Sequence, residues 1–254
     1  MAHRFFIPPE CITPPTVQLP PETARQVRTV LRMQAGDEII VLDDTGLERT
    51  VRLTQVSKEQ VRGEITGRRR SPGEPAVEVL LYQATLKGQK FELVLEKGTE
   101  LGVSRFTPVI CQRSVVRDAA AVEKKYDRWQ RIIREAAEVC GRGRLPRLER
   151  VMSLETALRH AVYAPVRLMF WEAGGEVSLK TVLQTERPRR IAVFIGPEGG
   201  FAPEEVALAR QTGCQVVGMG RRILRAETAG AVAVAAIFYE LDEWGVPAGE
   251  SSPR

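Results

Sequence analysis

IAVFIGPEGGF, residues 191–201, and QVVGMGRRILRAETA, residues 215–229, decide how the chain is read. Each begins with a short apolar run, residues 191–195 and 215–217, that reads as a buried strand. Each run ends in a glycine-marked turn, Gly196-Pro197-Glu198-Gly199-Gly200-Phe201 and Gly218-Met219-Gly220, and each turn leads into a helical pattern. Glycine allows positive φ and lets backbone amides come close to a ligand. Two such turns, close in sequence, match the ligand-binding edge of an open α/β sheet. Two tight strand-to-helix turns without a ligand are the plainer reading, and the pairing of the turns weighs against it.

Working outward, strands and helices alternate. Residues 77–82, 106–111 and 166–171 read as strands, and 90–101, 123–140, 154–160, 179–184, 203–211 and 227–241 as helices. Pro203 suits a first helical position, with Glu204 and Glu205 favouring the dipole there. This alternation predicts a mostly parallel sheet with helices on both faces. The N-terminal part differs. Residues 37–42, 49–56 and 60–66 read as short strands, the first two joined by a turn at residues 43–46, and regular short strands suggest a small β-barrel. Ser71-Pro72-Gly73-Glu74-Pro75 is the clearest linker, so the expected domains are 1–72 and 73–254.

Composition excludes several classes. The 254 residues are 43% hydrophobic and 27% charged, ordinary values for a globular protein. Four cysteines at positions 11, 111, 140 and 214 form no C-x-x-C pair, so neither a zinc ribbon nor a thioredoxin-type site is indicated. No stretch reads as a signal peptide or a membrane span, which makes the cytoplasm the expected compartment. The histidines are His3 and His160, too few and too scattered for a Ser-His-Asp site or a histidine-held metal. A net charge of +5 is compatible with a nucleic-acid partner without demanding one.

Neither turn carries the G-x-x-x-x-G-K-[ST] or G-x-G-x-x-G pattern, so nucleotide-phosphate fingerprints are absent. Backbone amides without a phosphate clamp suit a ligand with ring nitrogens, hydroxyls and a carboxylate. GPEGGF at 196–201 followed by GRRILRAETA at 220–229 resembles the signature of the bacterial ribosomal RNA uridine-N3 methyltransferases. That family belongs to the SPOUT superfamily, whose members have a knotted α/β domain. Arg4-Phe5-Phe6, Val30-Leu31-Arg32 before Gly36-Asp37, and Lys97-Gly98-Thr99-Glu100-Leu101-Gly102-Val103 look like the same family in the same order. Two positions depart from its pattern: Val139 stands where a glutamine is typical, and Arg25 and Gln26 stand where a histidine is common.

The resemblance implies a knotted SPOUT-type sheet behind a PUA-like N-terminal barrel, with S-adenosylmethionine as cofactor. It implies a specific uridine of 16S ribosomal RNA as substrate, free or in the assembled small subunit, and a homodimer. The apolar helix at 229–239 suits an interface or a core equally. By resemblance the cofactor cradle includes Gly196, Pro197, Gly199, Gly200, Met219, Gly220, Ile223, Leu224, Arg225, Thr228 and Ala229. The strand end at 168–172, before Gly174-Gly175, is a third contributor.

Methyl transfer from a sulfonium needs alignment above all. Uridine N3 also carries a proton that must leave, which a carboxylate, or a cation near the ring carbonyls, would help. The candidates are Arg225, Glu227 and Glu198, with Arg221 and Arg222 nearby. Arg225 suits stabilisation of charge on the uracil. Glu227 serves either catalysis or the first turn of its helix, and Glu198 either catalysis or its own turn. Cys214, near the turns, reads as a small buried side chain rather than a nucleophile. Candidate RNA contacts are Arg25, Arg28 and Arg32, the run Arg68-Arg69-Arg70, and Arg142, Arg144 and Arg147. Residues 1–72 hold eleven Lys/Arg against nine Asp/Glu, so an RNA role rests on these clusters rather than on bulk charge. Remaining alternatives are a related enzyme acting on a ribose hydroxyl or another base, and an RNA-binding protein without catalysis.

Overall fold

The computed structural model describes residues 2–244, so residues 245–254 of the expected second domain lie outside the described residues. The chain divides into two compact units, residues 1–74 with 133–145, and residues 75–132 with 146–254.

The first unit holds β1 (His3–Phe6), β2 (Ile12–Thr13), β3 (Thr16–Gln18), α1 (Pro21–Arg25), β4 (Glu38–Leu42), β5 (Leu47–Val56) and β6 (Val61–Arg70). They form one mixed sheet in the order β1-β4-β5-β6-β3-β2. Only β1 and β4 pair in parallel, His3 opposite Ile39 and Phe6 opposite Leu42. The sheet curls as a PUA-like half-barrel around Phe5, Val17, Val27, Ile39, Val41, Val51, Leu53 and Val61, all buried. Alternation on β5 explains the curl's inside. Val51 and Leu53 are about 1% exposed, while Arg52 and Thr54 between and beside them face water. The second face of β4 is buried as well, where Ile40 and Leu42 pack with Phe6 and Ala137.

The second unit holds β7 (Glu78–Ala84), α2 (Lys90–Leu101), β8 (Arg105–Ile110), α3 (Ala119–Glu123), β9 (Arg147–Leu148), β10 (Met152–Ser153) and α5 (Leu154–His160). It continues with β11 (Val166–Phe170), α6 (Leu179–Glu186), β12 (Arg190–Ile195), α7 (Pro203–Gln211), β13 (Gln215–Val217) and α8 (Ala226–Glu240). The long helix α4 (Tyr126–Cys140) has its residues to Ile132 grouped with this unit and those from Ile133 with the first. The sheet runs β10-β8-β7-β12-β11-β13, with β9 beside β8, and each described pairing in it is parallel.

A parallel sheet covered on both faces needs strands that are apolar on both faces. On β7, Leu80, Tyr82 and Ala84 share a core with Phe194, Leu158 of α5 and Val206 of α7. Leu81 and Gln83, pointing the other way, lie beside Gly230 of α8 and Val94 of α2. The Tyr82 and Phe194 rings stack at 4.6 Å between centroids across the β7–β12 pair. On α2, Gly98 faces Phe106, and a Cβ there would sit 2.6 Å from the ring.

Gly98→Ala therefore sets two effects against each other. Helix propensity favours alanine by about 1 kcal/mol. The clash with a fully buried ring that has no room to give costs about 1–3 kcal/mol. The expected net outcome is loss of stability, read as a lower urea midpoint with an unchanged m-value.

Candidate active site

β12, β11 and β13 are neighbours and parallel, with Phe170 opposite both Ile195 and Val217. Their C-terminal ends thus share one edge, the ligand edge of such sheets. The connections after β11 and β13 are locked to each other by backbone contact, and the turn after β12 is held by its own backbone and by side chains. Trp171 N–H donates to Val217 O at 3.0 Å and Glu176 N–H to Val216 O at 3.0 Å. Gly175 lies so close to the Gly218 backbone that a Cβ would not fit. In the first turn, Gly200 N–H donates to Pro197 O at 2.9 Å, and Gly200 has φ +67°. The carboxylate of Glu172 occupies the space that a Cβ on Gly200 would need. Arg113 clamps the turn from outside, its guanidinium donating to Gly199 O at 3.0 Å.

The connections enclose a cleft of about 500 Å³. Gly196, Pro197, Gly199, Gly200, Met219, Gly220, Ile223, Leu224, Arg225 and Ala229 all line it. The expected third contributor is there too, as Phe170, Trp171 and Glu172. Thr228 is exposed and stands outside the residues that line the cleft, although its neighbours Glu227 and Ala229 line it. Successive helical residues point about 100° apart, so one position in the first turn of α8 faces away.

Charge in the cleft comes from Glu172, Glu198 and Glu227 on one side of the balance and Lys90, Arg221, Arg222 and Arg225 on the other. Glu227 has a side chain only 10% exposed, with Lys90 Nζ at 3.6 Å and the Arg225 guanidinium at 4.0 Å. Its Oε2 is buried and makes no hydrogen bond among the described residues. Glu198 accepts from Lys87 N–H at 3.1 Å and lies 3.5 Å from Lys90 Nζ. Partial burial works against its charge. Backbone N–H donors, its own and that of Lys87, together with the Lys90 ammonium outweigh the burial and hold the carboxyl below its ordinary value. Lys90 went unnoticed in the sequence. A lysine at the first position of a helix, where the dipole repels a cation, is the signal that points to a role beyond the helix. Cys214 packs in the core beside Val206 and Val216, where burial pushes its thiol up.

Among the expected RNA contacts, Arg25, Arg32, Arg68, Arg70, Arg144 and Arg147 are exposed. Arg28 donates to the carbonyls of Ser57 and Lys58, and Arg69 reaches Glu48 at 3.3 Å. Arg142 is placed differently from the others. It is 3% exposed and its guanidinium bonds Glu74 at 3.1 Å, because the amides of Gly143 and Arg144 fold the loop around that same carboxylate. An arginine committed in this way has little left to offer a phosphate.

Comparisons with known proteins give the family. Residues 73–238 match the family model of the RNA methyltransferase domain, and residues 27–66 that of the RNA methyltransferase PUA domain. The ribosomal RNA small subunit methyltransferase E of Bacillus subtilis is 33% identical over 234 residues, 90% of this chain and 91% of that protein. The chain belongs to the ribosomal RNA small subunit methyltransferase E family. The Synechocystis member is 33% identical over 249 residues, covering 93% of this chain and 77% of its own. The Neisseria gonorrhoeae member, solved with S-adenosyl methionine bound, superposes with a TM-score of 0.84 at 31% identity, over 94% of this chain and 98% of that one. A methyltransferase E chain is therefore a SPOUT-type α/β unit with a PUA-like companion. Among its described residues no helix is long and apolar enough to cross a membrane.

Glu198 gives a pH-dependent test. Its folded carboxyl titrates below the ordinary value of 4.5. The stabilisation is then complete above that value and is lost as pH falls through the lower folded value. Solvent screening keeps the effect small. The difference in urea midpoint between wild type and Glu198→Gln should be constant at neutral and mildly acidic pH, and should shrink only below about pH 4.5.

Proposed function

We propose that this protein methylates N3 of a specific uridine in 16S ribosomal RNA, with S-adenosylmethionine as the methyl donor. The observation that carries the reading is the buried Glu227 carboxylate facing a cleft built from three glycine-rich strand ends. The residues present fit such a cofactor. Gly200 and Gly220 have φ of +67° and +85°, which open the turn backbones to a ligand, and the volume suits a nucleoside joined to an amino acid. Carboxylates and guanidiniums line the same cleft, which suits a ligand bearing both a sulfonium and a carboxylate. Gly196, Pro197, Gly199, Gly200, Met219, Gly220, Ile223, Leu224, Arg225 and Ala229 would hold it. When bound, it supplies an electrophilic methyl carbon whose bonding pair leaves on a neutral thioether sulfur.

The chain's own residues deal with the uridine. Its N3 lies on the Watson–Crick edge, so the base must be unpaired or flipped to reach the cleft. Arg225, with its side chain 82% exposed at the cleft, takes up charge on the uracil carbonyls as N3 loses its proton. Glu227 is the proton acceptor. Glu198, tied to the Lys87 amide, orients the first turn. Residues 1–72 act as the RNA-holding domain and 73–254 as the catalytic domain. Arg25, Arg32, Arg68, Arg70, Arg144 and Arg147 supply phosphate contacts. Cytoplasmic location fits an rRNA-modifying enzyme, and the exposed apolar Val232 and Tyr239 on α8 support a homodimer.

The decisive experiment is methyl transfer from labelled S-adenosylmethionine to unmodified small subunits and to naked 16S RNA, with nucleoside mass spectrometry of the product. The expected product is 3-methyluridine; a 2′-O-methylated or different methylated nucleoside would overturn the substrate assignment. Glu227→Gln should keep cofactor affinity and slow transfer about 100-fold or more. Gly200→Val should abolish cofactor binding in calorimetry, and unchanged affinity would remove the cradle assignment.

A further inference from the structure

Lys90 behaves unlike an ordinary surface lysine. Lys97, two turns further along α2, pairs with Glu96 and Glu100 of its own helix. Lys90 instead reaches two glutamates from other elements, Glu198 of the β12–α7 turn at 3.5 Å and Glu227 of α8 at 3.6 Å. It does so from the first position of α2, where the helix dipole disfavours a cation. All three side chains line the cleft.

We propose that Lys90 is a positioning residue for the methylation reaction: anchored on Glu198, its ammonium draws Glu227 Oε2 to itself, leaving Oε1 to receive the uridine N3 proton. This rests on the function proposed above. The two glutamates are not equivalent. Glu198 has a further donor in the Lys87 amide and is held ionised, so it anchors the ammonium. Among the described residues Glu227 Oε2 has no hydrogen bond, and Oε1 faces Arg225. Among the described residues, the charged groups paired with Glu227 are Lys90 from α2 and Arg225 ahead of α8, with Glu198 acting through Lys90 and with Glu172, Arg221 and Arg222 lining the same cleft. One turn along α8, β7 presents the uncharged Gln83 to Gly230.

The arrangement suits a proton step. The N3–H bond breaks, the proton passes to Glu227 Oε1, and the electron pair stays on N3 for the bond to the methyl carbon. When Glu227 becomes neutral, Lys90 still has Glu198 as counter-charge and need not leave the cleft. A single isolated ion pair would lose its partner at that moment, and protonating it would be correspondingly harder.

The test uses the full chain with Lys90→Met and Lys90→Arg. S-adenosylmethionine affinity is measured by calorimetry, and single-turnover methylation of unmodified small subunits is recorded as a function of subunit concentration. Removing the ammonium should slow transfer at saturating subunit about 10-fold with half-saturation unchanged, because Glu227 loses the contact that orients it. Lys90→Arg, which keeps the charge, should restore the rate, and cofactor affinity should stay within about twofold in each variant. An unchanged saturating rate in Lys90→Met, with wild type still making 3-methyluridine, overturns the role of Lys90 alone. Wild type making no 3-methyluridine overturns the functional reading and the proton role with it.

Discussion

The close seating of α8 on β7 and α2 is the constraint on which the site depends. It is possible because side chains are missing where the elements meet. A Cβ on Gly230 would lie 3.0 Å from the amide oxygen of Gln83, and one on Gly102 would lie 3.0 Å from the Phe238 ring. Seated this way, α8 brings its first turn, and Glu227 in it, to the start of α2 and within reach of Lys90. The seating has a cost. Gln83 is fully buried and its Oε1 finds no partner among the described residues, a loss of about 1–3 kcal/mol. Burial of Val234, Ile237 and Phe238 on the same helix offsets it, at about 1.5–3 kcal/mol for each large apolar side chain.

The second requirement is convergence. Parallel register puts the ends of β11, β12 and β13 on one edge; backbone contact joins the connections after β11 and β13, and the Glu172 side chain packs against Gly200 of the third, so the three leave one cleft. The walls are then mostly backbone and small residues, which leaves recognition to amides and a few charges. Those charges are cross-linked: Lys90 ties α2 to both α8 and the first turn, and Arg113 ties the segment after β8 to the same turn. A change in any one of these segments is therefore felt at Glu227 or Glu198.

Much of the second unit was legible because its elements are long or fully apolar. The helices at 90–101, 154–160 and 203–211 and the strand at 215–217 stand at the expected residues. The expected long helix at 123–140 stands as α4 from Tyr126 to Cys140, and a separate short helix, α3, precedes it at Ala119–Glu123, capped by Asp118 through the Ala120 amide. In the first unit β1, β2 and β3 escaped notice. They have four residues or fewer, and β1 is specified by a parallel partner more than thirty positions away in sequence, which no local pattern encodes. Lys90 escaped for a similar reason: its own helix gives a lysine no partner at that end, and both its partners come from elsewhere.

The sequence by itself determined the alternation of strand and helix, the glycine turns and the family to which they belong, because each is a local matter of periodicity, positive φ and motif order. It also named Arg225, Glu227 and Glu198 as the chemically interesting side chains. Only the tertiary structure decided how these groups meet. It buried Arg142 on Glu74, turned Thr228 out of the cleft and set one lysine between two glutamates. Such pairings depend on which charges are brought together and removed from water, and that is fixed by packing between elements far apart in the chain.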